Sequence, residues 1–213
     1  MEIFKKIIFV ATQLYQKNYL AACDGNISVK VEENLFAITP AGHAKAFLTP
    51  ADICLMDGAG NALQGVPSTE KIMHLEVYRS CPQAQAVIHA HPPHAIAWSI
   101  ARPELKELPA KVLSEVILGV GGIPFVPYAR PGSAAMGEVL RPFLKEFRTM
   151  ILSHHGALSW GEDLAEALNG MERIEHSATI LKLANDLGKI SDLPAPEIDY
   201  FKKAFRERGG RSL

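Results

Sequence analysis

Segments with the 3.6-residue period of a helix and segments with the two-residue period of a strand follow one another along this chain, with no linker between them. The strongest is 163–187, where apolar residues recur at helical spacing and Gly188 ends the pattern. Helices and strands that alternate in this way pack as layers, so the sequence predicts one α/β domain over 1–213, with 189–213 as a C-terminal tail or helix. The other predicted elements are helices ending near Leu20, over about 68–80, from Pro92 onward and over 133–147, and strands at 27–31, 35–39, 53–57, a segment carrying His89 and His91, 123–126 and 149–153.

Composition and charge narrow the classes of partner. The chain has 213 residues, 48% of them hydrophobic, and a net charge of -1, so a sizeable core is expected and a broad attraction to nucleic acid or an anionic membrane is not. Cys23, Cys54 and Cys81 are odd in number and far apart, which predicts neither a disulfide framework nor a thiolate zinc site and favours a reducing, cytoplasmic location. The first apolar run breaks at Thr12 and Gln13, so we interpret it as an amphipathic helix rather than a signal segment.

The strongest indication of a functional site is a His-X-His pair. In an extended strand the side chains of His89 and His91 leave the same face, close enough to share a cation. A third imidazole is available from His154 or His155, and a carboxylate from Glu70. Neighbouring residues point to opposite faces, so only one of the two downstream histidines can join, and the pattern does not choose between them. A His-X-His pair alone is more often structural; the third histidine shifts the balance towards a catalytic metal.

The remaining histidines have plainer interpretations. His74 lies one helical turn beyond Glu70, so it is either a buried hydrogen-bonding partner or a further ligand. His94 follows two prolines and is ambiguous, whereas His43 and His176 are expected at a surface or interface.

Three turn-like segments could bind an anion. Each places small or hydroxyl-bearing residues where backbone N–H groups are exposed. No Walker loop and no GxGxxG motif is present, so a nucleotide cofactor is not predicted. The segments are Gly25-Asn26-Ile27-Ser28, Ala41-Gly42 and Ser68-Thr69.

The order of these motifs resembles that of the class II, zinc-dependent sugar-phosphate aldolase and adducin-head family, and its fuculose-phosphate aldolase branch most closely. The resemblance implies a three-layer α/β/α fold with a mixed, largely antiparallel sheet, and a homotetramer with active sites between subunits. It also implies one Zn²⁺ per subunit, replaceable by other divalent metals, with Glu70 as the catalytic acid and base. The implied metal ligands are His89, His91 and His155, and the implied phosphate-binding residues are Gly25, Asn26, Gly42, Ser68 and Thr69. The motifs that carry it are Gly25-Asn26-Ile27-Ser28, Thr39-Pro40-Ala41-Gly42, Pro67-Ser68-Thr69-Glu70, His89-Ala90-His91-Pro92 and His154-His155-Gly156.

The activity that the resemblance implies is reversible retro-aldol cleavage of a ketose phosphate, of the fuculose 1-phosphate type, through an enediolate to dihydroxyacetone phosphate and a short aldehyde. Sister activities are the alternative: pentulose-phosphate 4-epimerase, decarboxylase or dehydratase. A second alternative is a non-catalytic binding domain like the adducin head, although the adducin head lacks the zinc ligands. The branch carries an interface tyrosine where this chain has Leu113, so Glu115 and Tyr128 are the candidate replacement proton donors.

Overall fold

The structure is a computed structural model that describes residues 2–210, without the side chain of Ala110. The last three residues of the predicted tail, 211–213, lie outside this range. Among residues 2–210, no helix has both the length and the apolar content needed to cross a membrane. The helices are α1 (Glu2–Gln16), α2 (Lys71–Ser80), α3 (Pro93–Ala101), α4 (Ser114–Val120), α5 (Ala134–Leu144), α6 (Leu164–Leu187) and α7 (Ala195–Glu207). The strands are β1 (Asn26–Glu32), β2 (Leu35–Ile38), β3 (Cys54–Met56), β4 (Ala62–Gln64), β5 (Ala86–Ala90), β6 (Phe125–Val126), β7 (Thr149–Leu152) and β8 (Gly156–Gly161).

All eight strands form one sheet in the order β4-β3-β2-β1-β5-β8-β7-β6. Every neighbouring pair is antiparallel except β6 and β7, which run parallel. The sheet is therefore mixed and largely antiparallel, which confirms the prediction.

Helices cover both faces of the sheet. Side chains alternate along each strand, so Ile88 of β5 enters a core shared with α1, α3, α4 and α6, whereas its neighbour Val87 enters a second core shared with α2 and α5. The same alternation separates Ile151 from Met150 on β7. This two-sided burial confirms the predicted α/β/α layering. Helix α7, within the predicted tail, packs against α4.

The first helix is shorter than predicted. It ends at Gln16 rather than near Leu20, because Asn18 adopts a left-handed conformation with φ of 62°. The backbone N–H of Tyr19 then donates to the carbonyl of Leu14 at 2.9 Å, which satisfies a carbonyl of the last turn.

Three elements lack a counterpart in the sequence prediction: β4, α4 and the central strand β8. The sequence of β8, Gly-Ala-Leu-Ser-Trp-Gly, begins and ends with the residue least typical of strands. All six residues are nevertheless buried, because the strand lies between β5 and β7 with helices on both faces. Tertiary packing overrides the local preference here.

Strand register brings the site together. Asn26 on β1 pairs with His89 on β5, and Ala90 pairs with Ala157 on β8. Side chains of paired residues share a face, so Asn26 and His89 both project towards the side covered by α2. The loop before α2 carries Glu70 to this same end of the sheet.

Candidate active site

Three imidazoles converge at the end of β5. His89 is the fourth residue of that strand, His91 follows its last residue, and His155 lies in the turn between β7 and β8. The Nε2 atoms of His89 and His91 are 3.1 Å apart, and the three rings offer ligand atoms that all lie within 4.8 Å of one another. His89 and His91 therefore share a face as predicted, although the strand itself ends at Ala90 rather than including His91.

The turn decides which downstream histidine takes part. His154 has a left-handed backbone with φ of 59°, and its N–H donates to Oγ of Ser99 at 3.0 Å. The N–H of His155 closes the turn on the carbonyl of Leu152, and its ring centroid lies 4.6 Å from that of His89. The pair is thus a turn rather than the end of a strand, and His155 faces the other two histidines.

The outer ring atoms orient the imidazoles for a cation. Nδ1 of His89 donates to the carbonyl of Ala157 at 2.9 Å, which leaves the lone pair of Nε2 directed at the other two rings. Nδ1 of His91 lies 3.4 Å from a carboxylate oxygen of Asp24. Burial, together with the imidazoles of His89 and His155, lowers the pKa of His91 to about 4. His91 is therefore neutral at neutral pH, which is the form that binds metals.

Glu70 closes the fourth side of this cluster. Its Oε2 is 3.4 Å from Nε2 of His89, and its Oε1 is 3.1 Å from Nε2 of His155. Burial raises the pKa of the Glu70 carboxyl, but the imidazoles of His155 and His89 outweigh it and hold the pKa well below its usual range. The group is therefore a carboxylate at neutral pH.

The start of α2 differs from the prediction. The predicted helix over about 68–80 would include Glu70; instead α2 begins at Lys71, and Glu70 is the N-cap residue without a side-chain cap hydrogen bond. The hydroxyl of Ser68 accepts from the N–H of Glu70 at 3.3 Å. Because the Glu70 side chain does not turn back to the helix, it is free to face the histidines.

A buried chain of hydrogen bonds holds Glu70 from behind. Nδ2 of Asn26 donates to Oε2 of Glu70 at 2.9 Å, while Oδ1 of Asn26 accepts from Nε2 of His74 at 2.5 Å. Nδ1 of His74 then accepts from the hydroxyl of Ser28 at 2.6 Å, and Ser28 meets the Tyr78 hydroxyl at 2.8 Å. Burial lowers the pKa of His74 to about 3, so the ring is neutral and can donate at one nitrogen while accepting at the other. His74 is thus a buried hydrogen-bonding partner and not a fourth imidazole of the cluster.

Two glycines leave the room that the rings need. A Cβ on Gly156 would lie 2.6 Å from the carbonyl oxygen of Ala90 and 2.8 Å from carbons of both the His89 and His91 rings. A Cβ on Gly25, whose φ is 70°, would lie 2.8 Å from the carbonyl oxygen of His89 and would also collide with Leu20. A side chain at either position would therefore displace the candidate ligands.

The cluster opens into a cavity of about 410 Å³. Its walls include every residue that the sequence analysis associated with phosphate, and also Lys45, Pro131 and Gly132. A somewhat larger cavity, of about 490 Å³, lies around Arg148, Trp160 and α7, where β7 starts and β8 ends; the three histidines do not line it. The phosphate candidates in the first cavity are Gly25, Asn26, Gly42, Ser68 and Thr69.

The two candidate proton donors are placed differently. Glu115, in the first turn of α4, is exposed and accepts a hydrogen bond from the Ser114 hydroxyl. Tyr128 is 59% exposed and precedes Pro131 by three residues. Neither lines the histidine cavity formed by residues 2–210 of this one chain.

The other histidines lie away from the cluster. His43 and His176 are exposed, as predicted. His94 pairs with Glu175 at 2.7 Å, and the carboxylate of Glu175 also accepts from the backbone N–H groups of His94 and Ala95 at the start of α3. This pair therefore anchors α3 to α6.

Lys45 is the lining residue that the sequence analysis missed. It stands between two alanines in a short 3₁₀ turn at Lys45–Phe47 and is only 2% exposed. Its one sequence signal is a charged residue in the apolar run His43-Ala44-Lys45-Ala46-Phe47-Leu48, and this signal does not reveal which cavity the ammonium faces.

Comparison with known families settles what kind of protein carries this site. The family model described as "Class II Aldolase and Adducin N-terminal domain" matches residues 5–181. The chain belongs to this family. Among curated relatives, an L-fuculose phosphate aldolase from Methanococcus maripaludis is 32% identical over 182 residues, which cover 85% of this chain and 97% of the relative. A 3-oxo-tetronate 4-phosphate decarboxylase from Escherichia coli K12 is 30% identical over 183 residues, covering 83% of this chain and 84% of the relative.

Solved structures agree on the fold. YgbL from Escherichia coli, whose reaction is given as aldolase, epimerase or decarboxylase, superposes with a TM-score of 0.88 at 28% identity, over 94% of this chain and 98% of its own. An L-fuculose 1-phosphate aldolase superposes with a TM-score of 0.86 at 28% identity, over 96% of each chain. The resemblance deduced from the motifs is thereby confirmed for family and fold, while the relatives catalyse different reactions.

Proposed function

We propose that this chain is a metal-dependent lyase that cleaves a carbon–carbon bond of a phosphorylated ketose by reversible retro-aldol reaction, giving dihydroxyacetone phosphate and a short aldehyde. The observation that supports this most directly is the convergence of His89, His91 and His155 with the carboxylate of Glu70. Glu70, His91 and His155 also line one cavity. The aldolase relative with 97% of its length covered supports the same reaction.

The residues suit a zinc ion. Two ligand atoms on tetrahedral zinc are about 3.3 Å apart when each bond is about 2.0–2.1 Å, and the Nε2 atoms of His89 and His91 are separated by 3.1 Å. Among residues 2–210, Oε1 of Glu70 is buried without a hydrogen-bond partner, although it lies 3.1 Å from Nε2 of His155. Imidazoles together with a carboxylate are a common donor set for catalytic zinc, with cobalt, nickel and manganese as alternatives. When bound, such an ion supplies a Lewis acid that polarises a substrate carbonyl.

Glu70 carries the proton transfer in this proposal. Its carboxylate removes the proton from the hydroxyl of the carbon that leaves as aldehyde, and the same group returns a proton to the carbon left behind. Asn26 fixes Oε2 by donating its Nδ2–H, so Oε1 is the oxygen that faces the reacting atoms. Backbone N–H groups and hydroxyls around Gly42, Ser68 and Thr69 would hold the phosphate at the far wall.

Decarboxylation of a phosphorylated 3-oxo acid is the second candidate. It is favoured by the relative from Escherichia coli K12, which matches at 30% identity. Both reactions leave a carbanion beside a carbonyl, so the same donor set serves either. They differ in the leaving fragment: an aldehyde in one case and carbon dioxide in the other. A 4-epimerase would instead conserve the carbon skeleton.

Purified, zinc-loaded protein assayed with a panel of ketose phosphates and 3-oxo acid phosphates would test the proposal. Release of an aldehyde together with dihydroxyacetone phosphate supports the aldolase. Release of carbon dioxide supports the decarboxylase, because loss of carbon dioxide from a four-carbon 3-oxo acid 4-phosphate also leaves dihydroxyacetone phosphate. Glu70→Gln should abolish turnover while retaining zinc, and Glu172→Gln on α6, whose carboxylate pairs with Lys17 at 3.5 Å, is a matched control. Retention of activity in Glu70→Gln, or a metal-free wild type after zinc loading, would refute the mechanism.

A homotetramer with sites near subunit interfaces is part of this proposal. Glu115 and Tyr128 do not line the cavity of their own chain, so either could reach a site only by movement or from a neighbouring copy. Light scattering of the purified protein measures the assembly, and a monomer would remove the interface role from both residues.

A further inference from the structure

Lys45 is a buried cation at the wall of the candidate substrate cavity. It is 2% exposed and lines the cavity together with Gly42 and Ser68. The loop that carries it is fixed to the segment before α2, because the N–H of Ala41 donates to Val66 and the N–H of Ser68 donates to Thr39. Lys45 is therefore held beside the hydroxyls and backbone N–H groups that would receive a phosphate.

The direct partners of the Lys45 ammonium are carbonyl oxygens, and the carboxylates of Asp24 and Glu70 act on it only from beyond ion-pair distance. Nζ donates to the carbonyl of Cys23 at 2.7 Å and to the carbonyl of His43 at 2.8 Å. An ammonium has three donors, so one remains after these two bonds. Within residues 2–210, no carboxylate lies within ion-pair distance of Nζ, and burial lowers the pKa of this group. A buried charge without an ionic partner is costly, which is consistent with a site whose counter-charge arrives with a ligand.

We infer that Lys45 is a specificity-determining residue that binds the phosphate of the substrate through its third donor. This inference rests on the proposed function, because it assigns the phosphate to the same cavity. It adds a charged contact to a subsite otherwise built from neutral donors, Asn26, Gly42, Ser68 and Thr69. A compact ammonium binds phosphate as a point charge, so the contact selects for charge and less for shape.

Binding of inorganic phosphate to the zinc-loaded protein, measured by calorimetry, tests the inference without turnover. Lys45→Met retains the length of the side chain but loses the charge and the donors, and we expect its affinity for phosphate to fall roughly 10- to 100-fold. Lys71→Met is a matched control, because Lys71 also donates to a carbonyl, that of Gly60 at 2.7 Å, but does not line the cavity. Its phosphate affinity should match wild type, and the zinc content of both variants should equal that of wild type.

Kinetics on substrate pairs separate a phosphate contact from a structural role. For the substrate that wild type turns over, Lys45→Met should lower kcat/KM for the phosphorylated compound roughly 10- to 100-fold and change that for its unphosphorylated form less than about threefold. Equal losses on both compounds would mean that Lys45 only holds the loops of Cys23 and His43 together, and would overturn the inference. So would wild-type protein that does not bind phosphate, or a Lys45→Met variant that binds it as wild type does.

Failure of the proposed function would give a different experimental result from failure of the Lys45 inference. If wild type binds phosphate through Lys45 but cleaves no ketose phosphate, the subsite stands and the reaction is wrong. If Lys45→Met does not fold, Lys45→Gln keeps amide donors for the two carbonyls without the charge, and the phosphate titration is carried out on that variant. Lys45→Arg, which restores the charge, should recover part of the affinity in either case.

Discussion

The His74 ring offers a test of the buried hydrogen-bond chain behind Glu70. In His74→Leu, Oδ1 of Asn26 and Oγ of Ser28 each lose a partner in a site with no exposure to solvent. Ser28 keeps the Tyr78 hydroxyl as a partner, whereas Oδ1 of Asn26 loses the imidazole that donates to it. One unsatisfied buried group costs about 1–3 kcal/mol, so we expect the variant to lose about that much unfolding free energy near neutral pH.

The cost should shrink as the pH falls, and the sign follows from the direction of the pKa shift. Burial lowers the pKa of His74 to about 3 in the folded protein from the 6.5 of an unperturbed imidazole, so between these values the unfolded chain binds the extra proton. A group with a depressed folded pKa contributes stability that is fully present above its unfolded pKa and is lost as pH falls towards the folded pKa. At about 1.4 kcal/mol per pH unit, the wild type loses about 3 kcal/mol of this contribution between about pH 6.5 and about pH 4.5. The leucine variant has no such proton to bind.

Urea unfolding of metal-free wild type and His74→Leu at several pH values measures the difference. The charges of His89 and Glu70 also act on His74, but both proteins contain these residues, so their other contributions largely cancel in the comparison. The difference in unfolding free energy should be largest near neutral pH and fall by about 3 kcal/mol at about pH 4.5. A difference that stays constant with pH would show that His74 is not held as a buried neutral imidazole.

Three further substitutions test other contacts. Gly156→Ala should weaken zinc binding about tenfold or more, because its Cβ would meet the His89 and His91 rings at 2.8 Å; unchanged affinity in a zinc titration would contradict the ligand assignment. Glu175→Ala should lose about 1–3 kcal/mol of unfolding free energy, since the N–H groups of His94 and Ala95 lose their acceptor, and Glu175→Gln should recover part of it; equal urea midpoints for wild type and both variants would argue against this anchor. Gly170→Ala should cost about 1–3 kcal/mol through overpacking, because its Cβ would lie 2.8 Å from Thr149 and collide with Ser159; a midpoint equal to that of wild type would show that α6 can shift away from the sheet.

The parts of the site that depend on local spacing could be predicted from the sequence. His89 and His91 are two residues apart, so an extended backbone places them side by side whatever surrounds them. The choice between His154 and His155 needed the left-handed backbone of the turn, which two adjacent histidines do not encode. The direction of the Glu70 side chain depended on where α2 begins. A helix boundary can be located only to within one or two residues, so the sequence could not fix this direction.

Contacts between segments that are distant in the sequence could not be predicted from it. Lys45 bonds the carbonyl of Cys23, 22 positions earlier, so nothing in its immediate neighbours reveals the cavity that it lines. The strand β8 was missed because its glycines argue against a strand locally. Its place at the centre of the sheet nevertheless requires Gly161, because a Cβ there would lie within 3 Å of the Glu166 side chain and of the backbone of α6. In both cases the global arrangement supplies the reason for the residue.

The residues that line the histidine cavity belong to two kinds of element, the central layers of the fold and a peripheral loop. The imidazoles and Glu70 stand on β5, on the turn before β8 and at the start of α2, all of them deep in the sheet or its covering layer, whereas Pro131 and Gly132 belong to the loop that follows the short edge strand β6. Insertions or substitutions in 127–133 would change that wall of the cavity without altering the three histidines or Glu70. In such an arrangement, substrate preference can change during evolution through the peripheral loop, while the residues proposed for the chemistry stay the same.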